Sequence, residues 1–234
     1  MNKFKSVVCI FVFLCITGFG PLSFLFGQSN SESFGTRAWI EKETRIIISQ
    51  ASNIDPAVLQ LALKAYVNAR NKGRIHKELL TVIDYKKPSS ERRMWVIDLK
   101  RQSVLYNTWV SHGKNSGSLN ATSFSNKPGS LKSSLGVFVT EAPYMGGNGY
   151  SLRLIGLEPG INDNAYNRDI VIHGAWYVES NVARRYGQVG RSWGCPAVSE
   201  RLAKPLINTI KDNTLVFAYY PDKKWMNRSP YLIG

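Results

Sequence analysis

From residue 79 onward the chain alternates short apolar runs with polar breaks. Residues 79–85 (LLTVIDY), 94–99 (MWVIDL) and 104–110 (VLYNTWV) are rich in β-branched and aromatic side chains, and each is only six or seven residues long. Residues 136–141 (GVFVTE), 151–157 (SLRLIGL), 169–173 (DIVIH) and 214–220 (TLVFAYY) continue the pattern. Runs of this length, bounded by turn formers, predict strands rather than helices. Lys100-Arg101-Gln102 separates the second and third runs and predicts a hairpin.

Two segments carry helical spacing instead. Asp55-Pro56 opens the first. Asp55 can cap free N–H groups, and Pro56 suits the first helical position. Val58, Leu61, Ala62, Ala65, Tyr66 and Ala69 then share one face, and Gly73 supplies the stop. The second is residues 201–211 (RLAKPLINTIK), where Pro205 predicts a first turn or a kink. The organisation read from these signals is a linker over residues 28–54, an N-terminal helix up to residue 79, a mainly β domain with a helix or two over residues 80–221, and a tail over 222–234. No repeat period is visible along the chain.

Residues 1–27 differ from all of this. Lys3 and Lys5 precede an apolar run with no further charge until Glu32. That layout is a secretory signal, with an uncleaved membrane anchor through residues 6–27 or a buried helix as the alternatives. Leu14 before Cys15 lacks the small side chain that a lipidation site needs. Export removes Cys9 and Cys15 from the folded part, so Cys195 is left as a thiol without an intramolecular partner. It then serves either as a small buried hydrophobe or as a reactive group.

Composition narrows the classes. At 234 residues with 44% hydrophobic and 20% charged, the chain is globular and not disordered. Three cysteines exclude a disulfide-dense scaffold and a cysteine-rich zinc site, and His76, His112 and His173 show no metal-ligand spacing. The net charge of +14 would suit an anionic partner such as a wall glycan, lipid headgroups or nucleic acid, or simply a scattered solvated surface. No basic block with interleaved aromatics marks a nucleic-acid groove, so nucleic acid is not an expected partner.

Residues 111–134 form a long Ser/Gly/Asn-rich stretch, and a loop of that length is expected to be functional or mobile. Its HGKNSG lacks the earlier Gly and the Lys-Ser/Thr pair of a phosphate loop. GGNGYS at 146–151 lacks the strand-turn-helix context of a dinucleotide site. Neither supports a nucleotide.

The chemistry-bearing segment is DIVIHGAWYV…GRSWGCPAVS. His173 ends a predicted buried strand. Cys195 follows in Ser192-Trp193-Gly194-Cys195-Pro196, on a turn expected to expose the sulfur and aim backbone N–H groups at one point. Acyl transfer needs that combination of nucleophile and oxyanion donors. A free thiol has a pKa of about 8.5, and a neighbouring imidazole can take its proton. The other imidazole nitrogen needs an acceptor, either a carboxylate or a backbone carbonyl. On spacing alone His173 is equally a satisfied core histidine.

His173-Gly174 followed by Ser192-x-Gly194-Cys195 resembles the signature of the YkuD-like L,D-transpeptidases. HGKNSG…FSN…GS..SSLG, SLRLIGLEPGIND and VIHGAWYV…GRSWGCPA together resemble the murein L,D-transpeptidase catalytic-domain subgroup, over about residues 54–221. The resemblance implies a YkuD-like β-sandwich fold with an N-terminal helical extension. It further implies an exported enzyme of the periplasm or cell envelope, acting on peptidoglycan stem peptides without metal or cofactor. By the same likeness Cys195 is the nucleophile and His173 the base. The Gly174 carbonyl orients the imidazole, and N–H groups around Trp193, Gly194 and Cys195 form the oxyanion hole. Ser192 matches the Ser/Thr position of the motif.

The chain departs from the family pattern in three places. Trp193 stands where His is usual, Ala197 where Arg or Asn is frequent, and the His-to-Cys spacing is slightly longer. These departures bear on how substrate carboxylates are held. Arg191, Arg153 and Arg168 are candidates, because a guanidinium fork suits a carboxylate, and each could equally be a surface Arg. His112 heads the long loop and is expected to line or position the cleft. Three functions follow: a transpeptidase with an amine acceptor, a carboxypeptidase or endopeptidase with water as acceptor, and a non-catalytic wall-binding domain.

Overall fold

The computed structural model describes residues 32–233. The expected leader or anchor, residues 1–27, lies outside the described residues. Among them no helix is long and apolar enough to cross a membrane.

The fold is mainly β with a few helices. The strands are β1 (Leu79–Asp84), β2 (Met94–Asp98), β3 (Ser103–Thr108), β4 (Gly136–Gly146), β5 (Gly149–Gly156), β6 (Val171–Gly174), β7 (Ala197–Val198) and β8 (Leu215–Tyr219). They join in one eight-stranded sheet of order β3-β2-β1-β8-β4-β5-β6-β7. β1 with β8 and β6 with β7 are parallel, and the other pairs are antiparallel. Seven of the eight strands fall on the apolar runs. β7 has two residues, too short for any periodic signal.

β2 and β8 are buried along their whole length, so both sheet faces are covered there. The helix α2 (Pro56–Asn71) packs on β1 and β8, α3 (Ser180–Tyr186) lies between β6 and β7 in the chain, and α4 (Glu200–Ile210) packs on β5 and β6. α2 starts as its sequence predicts, with Asp55 accepting from Ala57 N at 2.9 Å. It ends at Lys72, followed by Gly73 at φ +66°. Pro205 lies inside α4 rather than in its first turn.

Two stretches differ from the sequence reading. The expected linker contains a helix, α1 (Arg37–Gln50), capped by Thr36 and buried at Ile47. Charged residues within 41–45 interrupt its apolar pattern, and docking on the β2–β3 hairpin stabilises it instead. Gln50 donates to Gln102 O at 2.7 Å, and Gln102 donates to Glu43 at 2.7 Å. The expected tail is docked too. Its short helix α5 (Lys223–Met226) buries Trp225, and Tyr231 and Leu232 join the core.

The anchor of that tail is Glu158, a fully buried carboxylate. It accepts from Val137 N at 2.7 Å, from Trp225 Nε1 at 3.1 Å, and from the Ser229 hydroxyl. Burial raises its pKa, and these donors oppose the rise. Trp225→Ala is expected to cost roughly 3–5 kcal/mol, because it leaves a large cavity and removes a donor to a buried carboxylate. Denaturant unfolding measures this, and a loss under about 1 kcal/mol would mean that the tail is not part of the core.

Candidate active site

Strand pairing brings the site together. In the parallel pair β6–β7, His173 faces Ala197, so Cys195 lies two residues upstream of the partner of His173. Residues two apart on extended chain share a face.

Three serines shape the turn. Ser192 Oγ donates to Cys195 O at 2.6 Å and accepts from Gly194 N at 3.1 Å. Ser133 Oγ donates to Gly194 O at 3.1 Å and accepts from Gly113 N at 3.0 Å. Ser111 Oγ donates to Cys195 O at 3.4 Å and accepts from Ala197 N at 3.1 Å. The carbonyls of Gly194 and Cys195 are thereby turned into the protein. Within the described residues the N–H groups of Trp193 and Cys195 make no hydrogen bond. The N–H of Gly194 is committed to Ser192, which removes it from the expected oxyanion set.

Gly194 is required by its conformation. Its φ is +134°, and a Cβ would sit 2.9 Å from Lys132 O and 3.1 Å from Ile170 Cδ1. Gly194→Ala is therefore expected to displace the turn and lower turnover by about a hundredfold or more, while the core elsewhere stays intact. Steady-state kinetics beside a thermal melt checks this, and full activity would refute the strain argument.

His173 is 5% exposed, and its Nδ1 donates to Gly174 O at 2.9 Å. A carbonyl only accepts, so the proton is on Nδ1 and Nε2 carries a lone pair. Gly174 thus orients the imidazole through its main chain. Burial holds the His173 pKa below its ordinary value, and the Gly174 hydrogen bond offsets part of this. Cys195 is 9% exposed, so its sulfur is buried rather than displayed on the turn. Its Sγ donates to Asp169 O at 3.3 Å, and within the described residues no hydrogen bond joins it to His173. Burial raises the thiol pKa, while Val171 N–H and the Arg168 charge pull it down. Both shifts favour the neutral forms, thiol and imidazole.

The candidate arginines separate by their partners. Arg168 is committed to the long loop, donating to Ser125 O, Ser134 Oγ, Ser130 Oγ and Lys132 O at 2.5–3.1 Å. Its charge also faces Cys195. Arg191 reaches Gly117 O at 3.1 Å and ties the start of that loop. Arg153 lies opposite Val171, which places it on the His173 face of the sheet. It pairs with the exposed Asp169 at 3.2 Å and stacks on Tyr144 and Tyr166. Trp193 is 76% exposed, with Lys114 Nζ 5.8 Å from its ring centre.

His112 does not line a cleft. It is fully buried, and its Nδ1 accepts from Arg93 Nη2 at 2.7 Å. Burial and the Arg93 charge push its pKa down to about 4. Its main chain does serve the site, since His112 O accepts from Ser192 N at 2.9 Å. The unfolded chain takes up this proton near 6.5 and the folded one only near 4, so stability is expected to fall as pH drops through that window, by up to about 3 kcal/mol. Denaturant melts at successive pH values measure it. A His112→Gln variant that kept the full acid loss would place the effect elsewhere.

The long loop is a scaffold and not a free lid. Ser89 N donates to Leu119 O at 2.8 Å, and Asn164 N donates to Asn126 Oδ1 at 3.1 Å, which fastens the loop to the rest of the domain. Sequence reading misses Ser111, Ser133, Asp169 and Arg93. A lone serine or a main-chain carbonyl carries no sequence signal, and only the density of serines in the loop hints at the network.

The family model of the L,D-transpeptidase catalytic domain, YkuD_2, matches residues 50–219, and the chain belongs to that family. No curated protein matches the chain. Among solved structures, the L,D-transpeptidase LdtMt1 in complex with imipenem is 14% identical with a TM-score of 0.38. The alignment covers 61% of this chain and 59% of that one. The L,D-transpeptidase from Mycobacterium smegmatis is 16% identical with the same coverages and TM-score. The helical cell shape determining protein Pgp2 from Campylobacter jejuni is 12% identical, with a TM-score of 0.40, over 68% of this chain and 55% of that one. The chain thus spans about six tenths of the length of the first two structures.

Proposed function

We propose that the protein is an exported peptidoglycan L,D-transpeptidase in which Cys195 is the nucleophile and His173 the base. The observation that supports it most is a buried thiol two residues from the strand partner of a histidine whose Nε2 is unprotonated. Rotation of the Cys195 side chain from Asp169 O toward Nε2 would start the reaction. His173 takes the proton as sulfur attacks the carbonyl of the third stem residue. The N–H groups of Trp193 and Cys195 hold the oxyanion. The tetrahedral intermediate then expels D-Ala, protonated by His173, and leaves a thioester. An acceptor amine, deprotonated by His173, attacks the thioester and regenerates the thiol.

Arg153 is the substrate-carboxylate candidate, since its ion-pair partner among the described residues, Asp169, is exposed and exchangeable. Arg168 and Arg191 hold the loop instead. Burial of the thiol favours an amine over water, because a dry thioester survives until an acceptor arrives. The test is the full chain with a defined tetrapeptide, scored for D-Ala release and dimer. Both together support transpeptidation. Tripeptide without dimer would assign a carboxypeptidase, and neither product nor adduct would leave a wall-binding domain. Export through residues 1–27 is tested by N-terminal sequencing of protein recovered from the cell envelope.

A further inference from the structure

The excursion between His173 and Cys195 builds more than a connection. It forms a groove of about 470 Å³ lined by Lys114, Trp176, Tyr177, Tyr186, Val189 and Arg191. Trp176 is 69% exposed and Tyr186 64% exposed, and Trp193 lies two residues beyond Arg191 at 76%. Exposed rings in a cluster mark a binding surface more often than chance. Their backbone is rigidly held. Val178, Ala183 and Val189 form a small core beneath the excursion. Gly190 N donates to Tyr177 O at 2.8 Å, and a Cβ on Gly190 would lie 2.6 Å from Tyr177.

The charge around the groove has one sign. Lys114, Arg184, Arg185 and Arg191 make no ion pair within the described residues. Glu179 is the one carboxylate in residues 175–195, and it is occupied by Arg201 at 3.6 Å and Glu200 N at 3.1 Å. The groove adjoins the segment that carries the thiol. Arg191, on its lining, directly precedes Ser192, whose Oγ donates to Cys195 O at 2.6 Å.

We propose that this groove binds the glycan strand of the substrate, with N-acetylated amino-sugar rings on Trp176 and Tyr186 and the lactyl carboxylates of stem-free muramic residues on Lys114 and Arg191. This deepens the function proposed above and rests on it. Flat, exposed rings interspersed with cationic donors fit the C–H face and the polar rim of a pyranose. The groove is too open to enclose an acyl chain. Because the groove adjoins the Ser192–Cys195 segment, it can hold the sugars of a substrate whose stem peptide reaches the thiol.

The experiment has a binding arm and a kinetic arm. Stem-free strands of N-acetylglucosamine and N-acetylmuramic acid are titrated calorimetrically into the full chain and into Trp176→Ala/Tyr186→Ala, with a single-stranded oligonucleotide as the rival anion. Both rings are largely exposed, so the core is spared, and a thermal melt confirms it. The expected result is glycan binding that weakens about tenfold or more in the variant. In the kinetic arm the wild type is expected to show a lower KM for disaccharide tetrapeptide than for sugar-free tetrapeptide, and the variant to lose that difference. Turnover of the sugar-free peptide without any glycan binding would overturn the glycan site and leave the transpeptidase reading standing. Tighter binding of the oligonucleotide would also overturn it. Failure of both peptides to turn over would sink the transpeptidase reading, and the titration would still report on the groove.

Discussion

Cys195→Ala is expected to abolish acyl transfer, lowering turnover by at least about a thousandfold, because no other thiol among the described residues can form the thioester. The substitution removes one sulfur from a buried position. The serine clamps act on main-chain atoms of Gly194 and Cys195, so they remain, and the turn is expected to hold. Stability and activity should therefore separate. Intact-mass spectrometry with the tetrapeptide donor is expected to show an acyl adduct on the wild type and none on the variant. Cys195→Ser keeps a nucleophile of nearly the same shape but with a far less acidic hydrogen, and is expected to be almost as inactive. An adduct surviving in Cys195→Ala would place the nucleophile elsewhere and end the proposed mechanism.

His173→Ala is expected to lower kcat/KM by roughly a hundredfold to ten-thousandfold, the usual contribution of a positioned general base. The pH dependence carries more information. His173 is held below its ordinary pKa by burial, and Cys195 above its own, so burial stabilises the neutral form of each. The base works while unprotonated, so the acid limb of kcat/KM in the wild type is expected below 6.5. An imidazolium–thiolate ion pair would shift both groups the other way and give the resting enzyme a thiolate at neutral pH. Alkylation of Cys195 by iodoacetamide is therefore expected to be slow at neutral pH and to accelerate only on the alkaline side. Fast alkylation at mildly acidic pH would show a resting ion pair and refute the neutral pair. His173→Ala is also expected to lose the acid limb, a change that mere loss of packing would not produce.

How much of the fold is legible in the amino-acid sequence depends on the kind of signal. Strands with β-branched runs announce themselves, because half-buried or buried strand residues must be apolar in short blocks. The Asp55-Pro56 start is equally plain, since capping is local chemistry. α1 is not, because its stability comes from Gln50 and Glu43 meeting Gln102, more than 50 positions away. The docked tail is hidden for the same reason. Trp225 and Ser229 look like loop residues until Glu158, far earlier in the chain, supplies the buried partner.

The site divides along the same line. Cys195, His173, Gly174 and Gly194 are visible in the sequence because each is tied to a local conformation or to a reactive group. The roles of Ser111 and Ser133, the burial of His112 against Arg93, and the engagement of Gly194 N–H are not. Arg153, Arg168 and Arg191 are indistinguishable as letters. Only their partners sort them, with Arg168 and Arg191 spent on loop carbonyls and Arg153 left beside an exposed carboxylate.

The sequence by itself determined that the protein is a mainly β domain with a single cysteine after residue 27, set in a glycine-bounded turn downstream of a strand-end histidine. Those are properties of residue type and short-range spacing, which local sterics and hydrophobic periodicity enforce. The tertiary structure alone decided which way the thiol points, which N–H groups stay free, and which cations remain available. Each of those depends on hydrogen bonds between segments distant in the chain, and such pairings exist only once β6, β7 and the long loop are packed together.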